Sequence, residues 1–281
     1  MAINFGGSNE MAFIEVSGVN IHYTVWNEQA SVTIVAFHGF TGSVHTWEKV
    51  ALELGLDVRF IAIDLLGHGQ TSSPADVTLY SMEAQVALLH DCLQQIVAEP
   101  FHLLGYSMGG RVAVSYAVKH PTHIKSLLLE SASPGLESED SRAERRTNDA
   151  KLANKIMQEG IASFIDMWEN IPLFASQKLL PIEVQQAVRE ERMNQKPIGL
   201  ANSLLGMGTG QMPSVWHRLQ SLLMPVFLLT GQVDHKFVDI ANKMRQVNEN
   251  FTHITISGCG HAIHVENPQK FATIVKESIL N

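Results

Sequence analysis

Short apolar runs alternate with helical patterns along most of this chain. Two early segments, FIEVSGV and NIHYTVW, exchange apolar and polar residues at every second position around Ser17 and Gly18, which predicts an antiparallel hairpin. The later runs are nearly continuous and rich in Val, Ile, Leu and Phe, as strands buried on both faces are. They are SVTIVAFHGF, DVRFIAIDLLG, PFHLLGYS, HIKSLLLES, MPVFLLTGQVD and HITISGCGH.

Helical patterns lie between several of these runs. Within residues 81–97, apolar residues recur at steps of three and four, which predicts a helix with one apolar face. Strands alternating with helices predict an α/β fold, a mostly parallel sheet with helices on both faces. The region 134–217 breaks the alternation with charged helical segments, a glycine-rich stretch and no buried strand. We therefore predict a core at 11–133 and 218–281 with an inserted helical lid at 134–217, and leave residues 1–10 outside the fold because they show no periodicity.

Composition and charge narrow the functional classes. The chain has 281 residues, of which 45% are hydrophobic and 17% charged, enough for one domain with a sizeable core. A formal net charge of -8 without a basic run argues against a nucleic-acid or anionic-membrane surface. We see no membrane span or secretion signal, and two cysteines, Cys92 and Cys259, are too few for a disulfide framework, so we expect a cytoplasmic protein.

One serine has the sequence context of a nucleophile. Gly105, Tyr106, Ser107, Met108 and Gly109 form a G-x-S-x-G motif between a predicted strand and a predicted helix. Flanking glycines let the strand turn sharply into the helix, which exposes the serine hydroxyl above the sheet edge. The alternative is a serine that merely caps the helix. With this context, roughly residues 11–281 resemble the α/β-hydrolase family.

An acid and a histidine follow the serine at the ends of later strands. A serine hydroxyl reacts only when an imidazole takes its proton and a carboxylate orients that imidazole. Asp234 follows PVFLLTG and His261 follows HITISGCG, in the family's order of serine, acid and histidine. Asp239 is a competing acid, and His253 and His264 are competing histidines. The His261 to His264 spacing has no third ligand beside it, so we predict no metal.

The segment FHGFTGS predicts the oxyanion site. His38 and Gly39 follow a buried strand, so the backbone amides of Phe40 and Met108 are expected to donate to a developing negative oxygen. We expect His38 to support this loop and not to ionise in catalysis. DLLGHGQTS, residues 64–72, is interpreted as a structural loop of the family.

An arginine beside the serine points to an anionic ligand. The family includes esterases, dehalogenases, epoxide hydrolases, C-C hydrolases, lyases and receptors, and Ser107 excludes the members with an aspartate nucleophile. Arg111 lies one helical turn after Ser107, near the predicted pocket floor. Desolvating its charge there is costly without an acidic partner, which could be a protein carboxylate or the substrate.

Several separate motifs resemble the 2-succinyl-6-hydroxy-2,4-cyclohexadiene-1-carboxylate synthases of the menaquinone pathway. They are YSMGGR, PLFASQ, GMGTGQMPSVW, LLTGQVDHKF and GHAIHVENP. The resemblance implies arginines that bind substrate carboxylates, here Arg111, Arg145 in ERRTND and Arg192 in REERMN. The register within ERR leaves Arg146 possible in place of Arg145. It also implies that Tyr106 and Trp168 line the pocket, although Trp168 could be an ordinary core aromatic.

The resemblance implies a lyase with no cofactor and a small polycarboxylate substrate. Its reaction is the loss of pyruvate from an enolpyruvyl cyclohexene that carries a succinyl ketone, and it consumes no water. We predict that Ser107, deprotonated by His261, takes the acidic ring proton while Asp234 stabilises the imidazolium. Two alternatives stay open: a carboxylesterase or C-C hydrolase that uses the same triad covalently, and a non-catalytic small-molecule receptor. The oligomeric state is not predicted.

Overall fold

The computed structural model describes residues 10–280 and contains an eight-stranded sheet. Its strands lie in the order β1-β2-β4-β3-β5-β6-β7-β8. β1 and β2 form the predicted antiparallel hairpin, β2 is antiparallel to β4, and the remaining neighbours are parallel. The prediction of a mostly parallel sheet is confirmed. The strands are β1 Glu10–Val16, β2 Val19–Trp26, β3 Val32–Phe37, β4 Val58–Ile63, β5 Phe101–Tyr106, β6 Ile124–Glu130, β7 Val226–Gly231 and β8 Phe251–Ile256. Residues 1–9, most of the segment left outside the fold, are not among the described residues.

The helices follow the strands as the apolar pattern indicates, and no helix within residues 10–280 is long and apolar enough to cross a membrane. The α-helices are α1 Glu48–Leu54, α2 Met82–Ile96, α3 Met108–Lys119, α4 Glu139–Trp168, α5 Ile182–Met193, α6 Pro197–Met207, α7 His235–Val247, α8 Ile263–Glu266 and α9 Pro268–Leu280. Short 3₁₀ helices span Val44–Trp47, Gly55–Asp57, Val77–Tyr80, Pro121–His123, Pro172–Leu179 and Trp216–Ser221.

Both faces of the sheet are covered by apolar side chains. On one face α2, α3 and α7 contribute residues such as Leu89, Val112 and Met244 to a large buried cluster. On the other face α1 and α9 contribute residues such as Val50 and Phe271. Strands buried on both faces explain why their sequences are nearly continuous apolar runs.

The segment between β6 and β7 packs as a separate helical layer. Its helices α4, α5 and α6 have a small apolar cluster of their own, which includes Ile156, Phe164 and Leu200. α4 bends at Gly160, whose φ of 82° and ψ of 173° are not helical. Part of the glycine-rich stretch forms α6. Gly199 is needed there because a Cβ at this position would come within 2.0 Å of the Gly67 carbonyl oxygen. Glycine here permits close packing, so its presence did not signal a loop.

The loop 64–72 is held by one buried carboxylate. Asp64 accepts hydrogen bonds from the backbone amides of Val44 at 2.7 Å and Gln70 at 2.8 Å. It also pairs with Nδ1 of buried His22 at 2.7 Å. The loop is therefore structural, as we expected, and Asp64 connects it to β2 and to the segment after β3.

Candidate active site

Ser107 occupies a strained turn between β5 and α3. Its φ of 50° and ψ of -104° lie in a region that residues with a side chain rarely adopt. The turn is fixed at both sides, because the Ser107 amide donates to the Glu130 carbonyl at 2.8 Å and the Arg111 amide donates to the Ser107 carbonyl at 3.1 Å. The flanking glycines allow it: a Cβ on Gly105 would lie 2.5 Å from the Gly109 carbonyl oxygen. This turn places the Ser107 hydroxyl at the end of the sheet.

Three side chains from distant parts of the chain form one hydrogen-bonded series. Nδ1 of His261 lies 2.7 Å from Oδ2 of Asp234, and Nε2 of His261 lies 3.0 Å from Oγ of Ser107. Asp234 and His261 are 7% and 2% exposed, so water competes little for this series. The carboxylate holds the proton on Nδ1 and leaves Nε2 free to accept the serine proton. Ser107 is thus placed beside a base.

The competing acid and histidines lie elsewhere. Asp239 is exposed on α7. Nε2 of His253 lies 2.8 Å from Oγ1 of Thr230, away from the serine. His264 is fully buried and its Nδ1 lies 2.8 Å from Oε2 of Glu130. Within residues 10–280, no group of three or more His, Cys, Asp or Glu side chains could hold a metal ion.

The ends of β3 and α3 meet where the oxyanion amides are predicted. A Cβ on Gly109 would lie 2.2 Å from the Phe37 carbonyl oxygen and 2.4 Å from that of His38, so only glycine permits this approach. Phe40 and Met108 both line the cavity at Ser107. Among the hydrogen bonds of residues 10–280, neither of their amides has a protein acceptor. The geometry leaves two donors available near the serine.

His38 supports this loop from below. Its Nδ1 lies 2.8 Å from the Gly39 carbonyl oxygen, and its Nε2 accepts from the Leu65 amide at 3.0 Å. Burial lowers the pKa of His38, although the charge of Asp64 opposes that shift. A neutral His38 fits both hydrogen bonds, because Nδ1 then donates and Nε2 accepts.

A cavity between the sheet edge and the lid opens at Ser107 and His261. Its walls are largely apolar, with several polar and cationic groups. The apolar side chains include Phe40, Trp168, Leu173, Phe174, Leu204, Phe237 and Ile240, and the polar ones include Ser133, Ser203, Thr209, Arg111, Arg145 and Lys236. Apolar walls with a few converging polar groups are typical of a small-molecule site.

Arg111 and Arg145 approach this cavity from α3 and α4. Nη1 of Arg111 donates to the Met207 carbonyl at 2.6 Å and to Sδ of Met212 at 3.5 Å, and neither partner is a carboxylate. Burial, with the charge of Arg145, lowers the pKa of Arg111 to about 10, while Asp149 opposes the shift. Nε of Arg145 donates to Oδ1 of Asp149 at 2.8 Å. The Arg111 guanidinium stays charged at neutral pH, because its pKa remains well above 7.

Arg146 faces away from the cavity. Its Nη2 donates to Oε1 of Glu139 at 2.5 Å, in an ion pair whose carboxylate is largely exposed. Its Nη1 donates to the Gly210 carbonyl at 3.1 Å. Of the two candidates in ERR, Arg145 therefore lines the cavity.

Arg192 is buried but lies beside the cavity and not on its wall. Its guanidinium carbon lies 4.6 Å from the centroid of the Phe174 ring, and Nη2 donates to Oε1 of Gln177 at 3.1 Å. Phe174 lines both the cavity at Ser107 and the smaller space that Arg192 faces. Burial lowers the pKa of Arg192.

Tyr106 and Trp168 both line the cavity. The Tyr106 ring lies 5.4 Å from the His261 ring and 4.5 Å from the His264 ring, measured between centroids. Nε1 of Trp168 is buried and has no protein hydrogen-bond partner within the described residues. A buried N-H without a partner is costly, so this donor is available to a ligand.

The sequence interpretation missed two charged residues of this region. Lys236 lines the cavity, and its position two residues after Asp234 was a usable signal. Asp149 is buried and holds Arg145, and its spacing of four residues from Arg145 on one helix predicts such a pair.

Comparisons with known proteins give consistent matches. The sequence model of the alpha/beta hydrolase fold matches residues 32–268. A Bacillus subtilis protein named as a 2-succinyl-6-hydroxy-2,4-cyclohexadiene-1-carboxylate synthase is 41% identical, covering 92% of this chain and 94% of that protein. The synthase of that name from Salmonella typhimurium is 32% identical, covering 84% of this chain and 89% of that protein. The structure of MenH from S. aureus matches with a TM-score of 0.87 and 37% identity, covering 92% of this chain and 99% of that chain.

Proposed function

This chain belongs to the alpha/beta hydrolase family and, within it, to the 2-succinyl-6-hydroxy-2,4-cyclohexadiene-1-carboxylate synthases, and we propose how its residues carry out their reaction. It is a lyase that eliminates pyruvate from 2-succinyl-5-enolpyruvyl-6-hydroxy-3-cyclohexene-1-carboxylate. One observation carries the proposed mechanism: the Ser107, His261 and Asp234 series opens into a cavity that Arg111 and Arg145 also line.

The reaction begins with removal of a ring proton. The hydrogen on the ring carbon that bears the succinyl ketone is acidic, because its loss gives a dienolate. Ser107 gives its proton to Nε2 of His261 and takes this ring proton in its place. Asp234 stabilises the imidazolium that forms.

The developing charge moves to the ketone oxygen. The backbone amides of Phe40 and Met108 donate to this oxygen, and they have no competing protein acceptor among residues 10–280. Donors fixed before the reaction stabilise the dienolate without reorganising, which is worth about 3–4 kcal/mol for one such donor in other enzymes.

Elimination follows through the ring. The dienolate electrons form the conjugated diene and break the carbon-oxygen bond to the enolpyruvyl group. The departing pyruvate enolate takes a proton from the His261 imidazolium, so Ser107 and His261 return to their starting states. The elimination consumes no water and forms no acyl-serine intermediate.

The substrate carries three carboxylates, which the cationic groups position. We assign carboxylate binding to Arg111 and Arg145, because a planar guanidinium can hold a carboxylate through two hydrogen bonds. Arg192 remains a predicted third ligand that lies behind Phe174. Trp168 supplies an N-H donor, and Tyr106 forms the wall next to His261. Fixed positioning lowers the barrier by several kcal/mol in well-oriented systems.

We also propose that the enzyme acts in the cytoplasm. Cys92 and Cys259 are both free and buried, which fits a reducing compartment. We propose that its partner is this small polycarboxylate and not a nucleic acid, because the formal net charge of the chain is -8.

The assay is direct. Adding the enolpyruvyl substrate to the protein should produce diene absorbance and release pyruvate in equal amounts. A preformed triad also suits acyl transfer, so intact-protein mass spectra during turnover provide the second measurement. An unmodified mass at Ser107 is expected, whereas an acyl adduct with no diene formation would establish a hydrolase and overturn the proposal.

A further inference from the structure

We propose that Glu191, on the lid, is a positioning residue for the oxyanion site of the core. This inference rests on the proposed function, in which the Phe40 amide stabilises the dienolate. Both the backbone amide and the hydroxyl of Ser43 donate to Oε1 of Glu191, at 2.8 and 2.7 Å. Glu191 lies in the last turn of α5, and Ser43 lies three residues after Phe40.

A second lid residue holds the same loop. Gln195 lies one helical turn after Glu191, just past the end of α5, and is only 5% exposed. Its Nε2 donates to the Gly42 carbonyl at 3.2 Å, and its Oε1 accepts from the Gly69 amide at 3.0 Å. These bonds reach the backbone of two core loops, so they fix the path of the chain and not only its side chains.

The loop is attached to the core at its two ends. His38 is held by the Leu65 amide, and the Val44 amide donates to Asp64. Between these points, Thr41 has a φ of 68°, an unusual conformation for a residue with a side chain. A short turn bond joins the Gly42 amide to the Gly39 carbonyl at 3.0 Å. Among residues 10–280, the other polar contacts from outside to the middle of the loop come from Glu191 and Gln195.

The Phe40 side chain is also held by the lid. Its ring lies 5.5 Å from the Trp168 ring and 6.2 Å from the Phe164 ring, measured between centroids. The residue that supplies the oxyanion amide thus packs on α4 while its loop is bonded to α5. The lid therefore holds the residue that supplies this amide through both its ring and its loop, and Glu191 acts through Ser43 on the chemical step.

Two substitutions separate positioning from general stabilisation. Glu191→Ala removes the acceptor for Ser43, and kcat should fall about 10- to 100-fold, since loss of a whole oxyanion donor costs about 10²- to 10³-fold. KM should change less than about threefold, because no carboxylate ligand is removed. Glu191→Gln keeps Oε1 as an acceptor and should restore kcat to within about threefold of the unsubstituted enzyme. Glu190→Ala, at an exposed position of the same helix, is the matched control and should change neither constant.

A second readout does not depend on the lyase substrate. An uncharged alkyl fluorophosphonate reacts with Ser107 by forming an oxygen-phosphorus bond and releasing fluoride, while the serine proton passes to His261. Its phosphoryl oxygen needs the same amides, so the rate should fall in Glu191→Ala and recover in Glu191→Gln. This rate tests positioning even if the protein fails to eliminate pyruvate.

Three results would overturn the inference. They are an unchanged phosphonylation rate in a folded Glu191→Ala protein, a rise in KM with kcat unaltered, and a Glu191→Gln protein as impaired as Glu191→Ala at equal thermal stability. Thermal unfolding of each variant shows whether the fold is retained.

Discussion

The interactions that stabilise the core of this enzyme differ from those that stabilise its lid. In the core, Asp234 follows the largely buried strand β7 and His261 follows its parallel neighbour β8 at the sheet edge. In the lid, many polar contacts are exposed ion pairs, such as Arg189 with Asp166 and Lys155 with Glu159. Exposed pairs contribute about 0–1 kcal/mol each. The core therefore fixes its side chains more firmly than the lid does.

This difference divides the reaction between the two regions. The positions of the triad and of the Met108 amide are fixed by the ends of β5, β7 and β8 and by the start of α3, all of which belong to the core. Arg145, Arg192 and Trp168 come from lid helices, so substrate recognition depends on how the lid docks. Substitution of a triad residue should therefore change the chemical step, and substitution of an arginine that binds a carboxylate, in the core or in the lid, should change KM. Glu191 is the lid residue expected to change kcat, because it acts on the oxyanion loop.

The largest effect is expected for Ser107→Ala. It removes the proposed base, so kcat should fall at least about 10³-fold, by analogy with removal of triad members. Thermal stability should change little, because alanine retains the Cβ at this strained turn. Diene absorbance and pyruvate release measure the outcome. Normal elimination by this variant would show that Ser107 is not the base.

Gly109→Ala tests the packing of the core at the same place. The added methyl group would lie 2.2 Å from a backbone oxygen that cannot rotate away. Overpacking of this kind costs typically 1–3 kcal/mol and occasionally more, so the free energy of unfolding should fall by about 3 kcal/mol in urea titrations. Gly258→Ala is the control for backbone strain without a clash, because its Cβ meets open space while its φ of 74° costs an alanine about 1–2 kcal/mol. Equal losses in the two variants would contradict the packing argument.

Arg111→Ala should affect binding more than chemistry. We expect KM to rise about 10- to 100-fold with kcat within a fewfold of its normal value, because a hydrogen bond to a charged group contributes about 1.5–3 kcal/mol. Initial rates over a range of substrate concentrations measure both constants. Arg146→Ala, whose side chain pairs with Glu139, is the control and should leave KM unchanged. A similar rise in both variants would indicate a general loss of positive charge and not a defined contact.

Much of the core could be predicted from local sequence. Buried strands are recognisable as apolar runs, and carboxyl ends of parallel strands meet at one edge. Those two rules place Ser107, Asp234 and His261 together before any coordinates are known. The G-x-S-x-G motif also predicts the turn, because a side chain at Gly105 or Gly109 would clash with backbone atoms in the structure.

The lid was less predictable because its contacts are long-range. Neighbouring residues on a helix point about 100° apart, so the choice between Arg145 and Arg146 depends on which face of α4 meets the cavity. The periodicity of a charged helix does not define that face. Likewise, Glu191 bonds to Ser43 across 148 residues of sequence. No local pattern encodes such a contact.

Gly160→Ala gives the smallest expected effect and tests how firmly the lid is held. At a φ of 82° and a ψ of 173°, a Cβ meets no atom within 4 Å, so its cost comes from backbone conformation alone, about 1–3 kcal/mol in the free energy of unfolding. We expect KM to change less than about threefold, because Phe164 is fully buried and its ring, like that of Trp168, contacts Phe40. Urea titration and initial rates measure the two quantities. If stability were unchanged and KM rose tenfold, α4 would have straightened and carried Trp168 away from the cavity, and the lid would be looser than its contacts with Phe40 indicate.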